Sequence, residues 1–240
     1  MVPLKGSIWP FVGFCVATRG EVMATTPFQK NSISSLSSKK KAISSVTYLN
    51  LHTHHPVPED ERTIPSFGLH PWFLTEDWAA QLPSMAASIT ATESFIGECG
   101  LDRLCDTPYD RQLAAFEAQI ALSEQLGVPL ILHCVKAIDD VIRLKRTTHQ
   151  PWIWHGFRGK PQQLLQLLDH GFYISFGFRY HPESLQACPL DRLFLETDDI
   201  PDSIAPLYHK VALLRNLDTE NLCEQIWQNY HSIKKMAFPA

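Results

Sequence analysis

The chain has 240 residues, 45% hydrophobic and 19% charged, with a formal net charge of −4. That composition supports a packed core and excludes a wholly disordered chain, and the negative charge excludes a broad basic face for nucleic acid. The longest uncharged apolar run, Ile8 to Ala17, is shorter than the ~20 residues that cross a bilayer, so no membrane role is expected.

Residues 1–45 read as an N-terminal extension that is poorly ordered. Lys5 precedes an apolar stretch, but Pro10 and Gly13 interrupt it and no small-x-small cleavage site follows, which argues against a signal peptide. The tract from Asn31 to Lys41, rich in serine and lysine, has neither helical nor strand period and reads as linker; Met23 offers a second possible start. The six cysteines form no CxxC and suit neither a zinc ribbon nor a disulfide scaffold. They are expected as reduced thiols of a cytoplasmic protein.

From Val46 onward short apolar runs alternate with helical patterns. The runs are Val46–Leu51, Ile64–Leu69, Ser94–Ile96, Pro129–Leu132, Trp152–Trp154, Phe172–Phe176 and Leu193–Leu195, each bounded by turn or polar residues as buried parallel strands are. Tyr109–Leu126 places Leu113, Phe116, Ile120 and Leu126 near one face and stops at Gly127. Further helices are expected from Pro161 to Gly171 and from about Asp218/Thr219 onward. This alternation predicts an α/β fold with a parallel sheet, open or closed as a barrel. Residues 56–63, eight in number and including Pro56 and Pro58, are all that separate His55 from Ile64. An ordinary crossover with its helix needs about 10–12, so the first link has no helix and the strand count is seven.

Six of the seven expected strands run into ionisable residues. These are His52-Thr53-His54, His70, Glu98 with Asp102, His133, His155 and Asp198 with Asp199. In a parallel barrel such carboxyl ends open on one mouth. The period of two in His52-x-His54 points both imidazoles to one side. Taken singly, each signal has an ordinary structural reading, such as a turn cap for Asp198. Together, His52, His54, Glu98, His133, His155 and Asp198 make a ligand set for one or two divalent metals, with Glu98 suited to bridge them. Two-metal hydrolases hold their ions ~3.5–4 Å apart. His55, His149, His170, His181, His209 and His231 read as surface or packing residues. Trp72, Phe73 and Phe157 lie near the expected site loops, where a ring can stack on a base or simply pack.

The ordered strings His52-x-His54, Gly-Leu-His70-Pro, Ile-Gly-Glu98-Cys-Gly-Leu-Asp102, Leu-His133, His155-Gly-Phe and Glu-Thr-Asp198 resemble the TatD family of metal-dependent hydrolases over about residues 46–233. The resemblance implies a TIM-type (β/α) barrel, here reduced to seven strands, and deoxyribonuclease-like hydrolysis of phosphodiester bonds, with DNA or another phosphate ester as substrate. By position, His52, His54 and Asp198 would hold one metal and His133 and His155 a second. Glu98 would bridge them, and Asp198 would orient the attacking water and accept its proton. The metal would be Zn, Mn or Mg. His70 would line the pocket without holding metal, and Lys136 and Arg158 would each meet a phosphate.

The chain departs from the family in three places, one of them the stretch after His133, which is Cys134-Val135-Lys136-Ala137 where the family has an Arg. Asn50 stands where the family has Asp, which puts support of the first ligand in doubt, and the strand–helix unit between the HxH and GLHP strings is missing. Three other readings compete. A PHP-type phosphatase also begins with HxH, but usually closes with Asp-x-His, whereas Asp198 is followed by Asp199 and Ile200. A metal-dependent amidase or lactonase would use the same ligands on a carbonyl. A non-catalytic metal- or nucleic-acid-binding protein would carry them without turnover.

Overall fold

A computed structural model describes residues 46–237; the extension and linker expected over 1–45 lie outside the described residues. The order of elements is β1 (Tyr48–Asn50), β2 (Glu61–Thr63), β3 (Ser66–Phe67), α1 (Leu82–Thr92), β4 (Phe95–Asp102), α2 (Tyr109–Leu126), β5 (Leu130–Val135), α3 (Ile138–Lys145), β6 (Trp152–Trp154), α4 (Pro161–Asp169), β7 (Tyr173–Phe176), α5 (Pro182–Ala187), β8 (Leu193–Leu195), α6 (Ala205–Arg215) and α7 (Thr219–Ala237). Every strand pairing is parallel: β1 with β2, and β3 through β8 in sequence order.

The eight hydrogen-bonded segments make seven staves of one α/β barrel. β2 and β3 are consecutive parts of a single extended stretch. Its first part pairs back to β1 (Tyr48↔Glu61) and its second forward to β4 (Ser66↔Phe95). Pro65 between them has no N–H to give, and its carbonyl accepts from Phe95 N at 3.0 Å. The stave therefore begins three residues before the expected Ile64. The ring closes between β8 and β1, where Leu51 N donates to Leu195 O at 2.9 Å. Asp198 N donates to His52 O and His54 N to Asp198 O, both at 3.1 Å.

Ten residues, 51–60, join β1 to β2 without a helix. The flank left uncovered is packed by the end of the chain. Tyr208 of α6 is buried against Tyr48 and donates to Leu49 O at 2.7 Å, and Trp227 of α7 donates to Thr47 O at 2.7 Å. Glu61, buried in β2, accepts from Ser203 Oγ (2.6 Å) and Ile204 N (2.8 Å). It thereby places a carboxylate at the start of α6, where the residue preceding the helix offers no side-chain cap.

α2 matches its expected bounds but turns a different face inward. The buried positions are Gln112, Ala115, Phe116, Gln119 and Ser123, while Leu113, Ile120 and Leu126 are only partly covered. Polar side chains win those positions because backbone groups await them. Gln119 receives Leu69 N at 2.7 Å and donates to Leu69 O at 3.1 Å; Gln112 does the same for Asp102 at 2.7 and 2.9 Å. All eight residues of β4 are buried, as in a strand covered on both faces. Its register against β5 shifts between Ile96 and Cys99, a bulge of the kind that re-aims a side chain beside an active site. Glu98 sits in that bulge.

Two glycines separate steric from conformational need. At Gly100 (φ +139°) an added Cβ would overlap the His133 carbonyl oxygen, whereas at Gly171 (φ +78°), just past α4, nothing lies within 4 Å. Gly100→Ala should therefore cost about 3 kcal/mol or more and Gly171→Ala only about 1 kcal/mol. Urea unfolding of both variants measures this, and equal losses would contradict the close approach of β4 to β5.

Candidate metal centre

Glu98 stands at the middle of the barrel mouth with its side chain 6% exposed. Its two oxygens face different partners. Oε2 is 2.9 Å from His52 Nε2 and 3.6 Å from His54 Nε2. Oε1 is 2.6 Å from His155 Nε2, 3.0 Å from His133 Nδ1 and 3.5 Å from His70 Nε2. Asp198 Oδ1 lies 3.6 Å from His54 Nε2. His52 and His54 lie past the end of β1, but the bridge between Thr53 and Asp198 keeps that stretch extended. The period of two therefore still delivers both imidazoles to one carboxylate oxygen.

The charges of the cluster pull on one another. Burial opposes ionisation of Glu98, yet His155, His133 and His52 hold its carboxyl well below the ordinary value. Burial likewise disfavours a charged His155, but Glu98 and Glu196 overcome it and hold the imidazole well above its usual range. A hydrogen bond to Glu98 raises His54, and burial lowers His70. Burial, with the charges of Glu196 and Glu98, raises Asp198.

A set of supporting residues, given no such role in the sequence analysis except for Asn50, fixes these side chains. Glu196 is fully buried; it faces His155 Nδ1 at 3.2 Å and accepts from Gly156 N at 2.5 Å and Ser175 Oγ at 2.6 Å. Asp102 faces His133 Nε2 at 3.1 Å and accepts from Trp72 Nε1 at 2.6 Å. Such carboxylate–imidazole pairs set ring orientation and tautomer in metal sites. Asn50 pairs with Thr197 in both directions, donating to Oγ1 at 3.0 Å and accepting from the backbone N at 3.2 Å. Its amide ties β1 to β8 next to Asp198. Both ligand-bearing strings carry a clue to their support: Glu196 lies two residues before Asp198, and Asp102 four after Glu98. The clue for α2 is the seven-residue spacing of Gln112 and Gln119, two turns on one face.

His70 accepts from Trp72 N through Nδ1 at 3.1 Å. In a neutral ring the proton then sits on Nε2, making that atom a donor towards Glu98 rather than a metal ligand. Arg158 is exposed and lines a cleft with Glu196, Thr197 and Asp198. Lys136 is exposed just past β5 and, among the described residues, has no ion pair with the cluster. Phe157 is buried and packs edge-on against Phe176 at 5.6 Å, so it is core and not a base-stacking ring. Trp72 and Phe73 are 54% and 74% exposed beside His70.

The donor chemistry suits divalent cations. His52 Nε2 is buried and has no hydrogen-bond partner, although Glu98 Oε2 is close; an orphaned imidazole nitrogen facing a carboxylate is what a bound ion would satisfy. Three overlapping groups have ligand atoms within 4.8 Å: His52, His54, Glu98 and Asp198; His70, Glu98 and His133; and His155, Glu196 and Asp198. The first coincides with the expected first site. The second expected pair is divided, with His133 grouped beside His70 and His155 beside Glu196.

The family described as TatD related DNase matches residues 30–235. The chain belongs to the TatD family. A TatD protein of Klebsiella pneumoniae named "3'-5' ssDNA/RNA exonuclease TatD" is 35% identical over 154 residues, 55% of this chain and 55% of that protein. One of the same name from Erwinia amylovora is 31% identical over 202 residues, 69% of this chain and 76% of the relative. The match thus spans little more than half the length of the first relative and about three quarters of the second. Among solved structures, a TatD homologue from Escherichia coli K12 superposes with a TM-score of 0.62 at 24% identity, covering 71% of this chain and 76% of the other. A TatD family hydrolase from Entamoeba histolytica gives 0.63 at 17%, covering 75% and 76%. Both share the TatD barrel fold.

Glu196→Ala should leave the Gly156 N–H and the Ser175 hydroxyl without their acceptor and release His155. The expected loss is about 2–4 kcal/mol, with metal affinity falling about 10–100-fold. Chemical denaturation and competition with a chromogenic chelator report the two effects separately; unchanged metal affinity would show that Glu196 does not steer His155.

Proposed function

We propose that the protein is a divalent-metal-dependent phosphodiesterase that hydrolyses single-stranded nucleic acid, with DNA or another phosphate ester as its substrate. The observation that carries the reading is the two-sided Glu98, one oxygen towards His52 and His54 and the other towards His133 and His155. In this reading His52, His54 and Asp198 would hold one ion and His133 and His155 a second, with Glu98 available to both. The nitrogen-rich donor set favours Zn or Mn over Mg. Bound divalent ions supply positive charge and lower the pKa of water from ~15.7 towards 7.

The protein groups then divide the work. Asp198 accepts the proton of the attacking water; its carboxylate stands 3.6 Å from His54 Nε2, is 21% exposed and lines the cleft where substrate would enter. Its backbone is pinned on both sides by His52 O and His54 N, so the acceptor is oriented before substrate arrives. His70, with its proton on Nε2, donates into the site. Lys136 and Arg158 meet substrate phosphate, Lys136 as a mobile point charge and Arg158 through its fork. Trp72 and Phe73 give a base an exposed aromatic surface beside the cluster. The names of the Klebsiella and Erwinia relatives support a single-stranded substrate and attack from a 3′ end. The five described cysteines are free thiols, which supports a reducing, cytoplasmic setting. No membrane and no obligate protein partner enter this reading. Among the described residues no helix is long and apolar enough to cross a membrane.

The test is a screen of the protein reconstituted with Zn, Mn or Mg against single-stranded DNA, RNA dinucleotides, phosphomonoesters and lactones. Phosphodiesters should be the best substrates, and chelation should abolish their hydrolysis until Zn or Mn is restored. Asp198→Asn should lower kcat by about 10²–10⁴-fold, with bound metal measured in parallel. Near-normal turnover by that variant, or faster hydrolysis of lactones than of phosphodiesters, would refute the assignment.

A further inference from the structure

The same three residues follow two neighbouring staves. Gly156-Phe157-Arg158 comes after β6 and Gly177-Phe178-Arg179 after β7, and the two strands are paired (Ile153↔Tyr173, Trp154↔Ile174). The turns are built into the barrel: Phe157 N donates to Ser175 O at 2.9 Å, and Gly156 N donates to Glu196. Both arginines are exposed and line one cleft together with Asp198 and Asp199. Among the described residues neither guanidinium has a carboxylate within 4.0 Å, although two aspartates line the same cleft. Two guanidinium groups without a carboxylate partner among the described residues, on adjacent staves and one residue apart in register, stand beside the proposed proton acceptor and are free to take an anionic partner from outside the chain.

We propose that Arg158 and Arg179 form a clamp for two successive phosphates of one nucleic-acid strand, which makes a polynucleotide a better substrate than a single phosphodiester. The proposal rests on the reading of the centre as a phosphodiesterase and adds Arg179 and chain-length selectivity to it. Neighbouring strands lie ~4.8 Å apart, and long side chains rising from them reach two anionic groups of one strand, each through a bidentate fork. The scissile phosphate is met by the metal-binding cluster, so the clamp acts on phosphates that do not react. Interactions of that kind are equal in ground and transition states and appear in KM rather than kcat.

The experiment compares wild type, R179A, R158A and R179K on single-stranded DNA of about 12 nucleotides and on a dinucleotide with one phosphodiester. KM for the oligonucleotide should rise about 10-fold in either alanine variant, and by clearly less for the dinucleotide. R179K should recover part of the loss. The slope of log KM against log salt for the oligonucleotide should fall by about 0.7 for each arginine removed, which a merely structural role would not produce. Equal losses on both substrates, or an unmoved salt slope, would overturn the clamp while leaving the nuclease reading intact. A wild type that cleaves neither substrate would overturn both.

Discussion

A carboxylate that is 6% exposed has to find compensation for its charge inside the fold, because removing an ion from water costs several kcal/mol even after relaxation. Glu98 meets that demand with imidazoles on both of its oxygens. Much of the rest of the mouth follows. His155 has to be held against Glu98, and Glu196 does so from behind; His133 has to be held, and Asp102 does so. Those carboxylates in turn need donors, which come from Ser175, Gly156 and Trp72. The result is a shell of negative groups around imidazoles, with no lysine or arginine paired to its carboxylates among the described residues. Such a shell offers clustered carboxylate and imidazole donors to divalent cations.

The barrel supplies this arrangement through backbone geometry. Every stave contributes its carboxyl end to one mouth, so residues far apart in sequence converge without any loop having to be long. The bulge at Glu98 and the extended stretch from His52 to His54 then adjust individual side chains. The bonds of Gln119 to Leu69 and of Gln112 to Asp102 carry the same logic one layer outwards. They bind α2 to the backbone beside His70 and to the residue that supports His133. A helix face that looks like ordinary core packing is therefore part of the positioning of the centre.

What was legible in the sequence was whatever depends on local period or on a string. The alternation of apolar runs and helices, the bounds of α2 and the missing helix after β1 were all readable. So was the convergence of His52, His54, Glu98, His133, His155 and Asp198 on one mouth. What was not legible depends on which groups meet across the fold. Periodicity ranks Leu113 and Ile120 above Gln112 and Gln119 as core, because it does not know that unpaired backbone groups await the amides. Phe157 reads as a loop aromatic and is core, because the turn after β6 folds back on β7. Glu61, within the link between His55 and Ile64, is a buried acceptor at the start of α6. Asn50, where the family has Asp, makes two bonds to Thr197 across β1 and β8, a contact that no string in the sequence reveals.

Unequal exposure of the clustered residues also gives the centre a direction. His155 and Glu98 are deeply buried, while the His54 side chain is 55% exposed and that of Asp198 21%. The cluster is thus most exposed on the side of β1 and β8, which carry His54 and Asp198. Arg158 and Arg179 line the cleft next to that side, at the ends of β6 and β7, whereas Trp72 and Phe73 stand beyond Glu98 at the end of β3. On a seven-stave ring those two sets lie on opposite sides of the cluster. A strand crossing the mouth would meet cations on one side of the reacting bond and aromatic rings on the other, an asymmetry that suits a ligand with a charged backbone and flat bases better than a compact phosphomonoester.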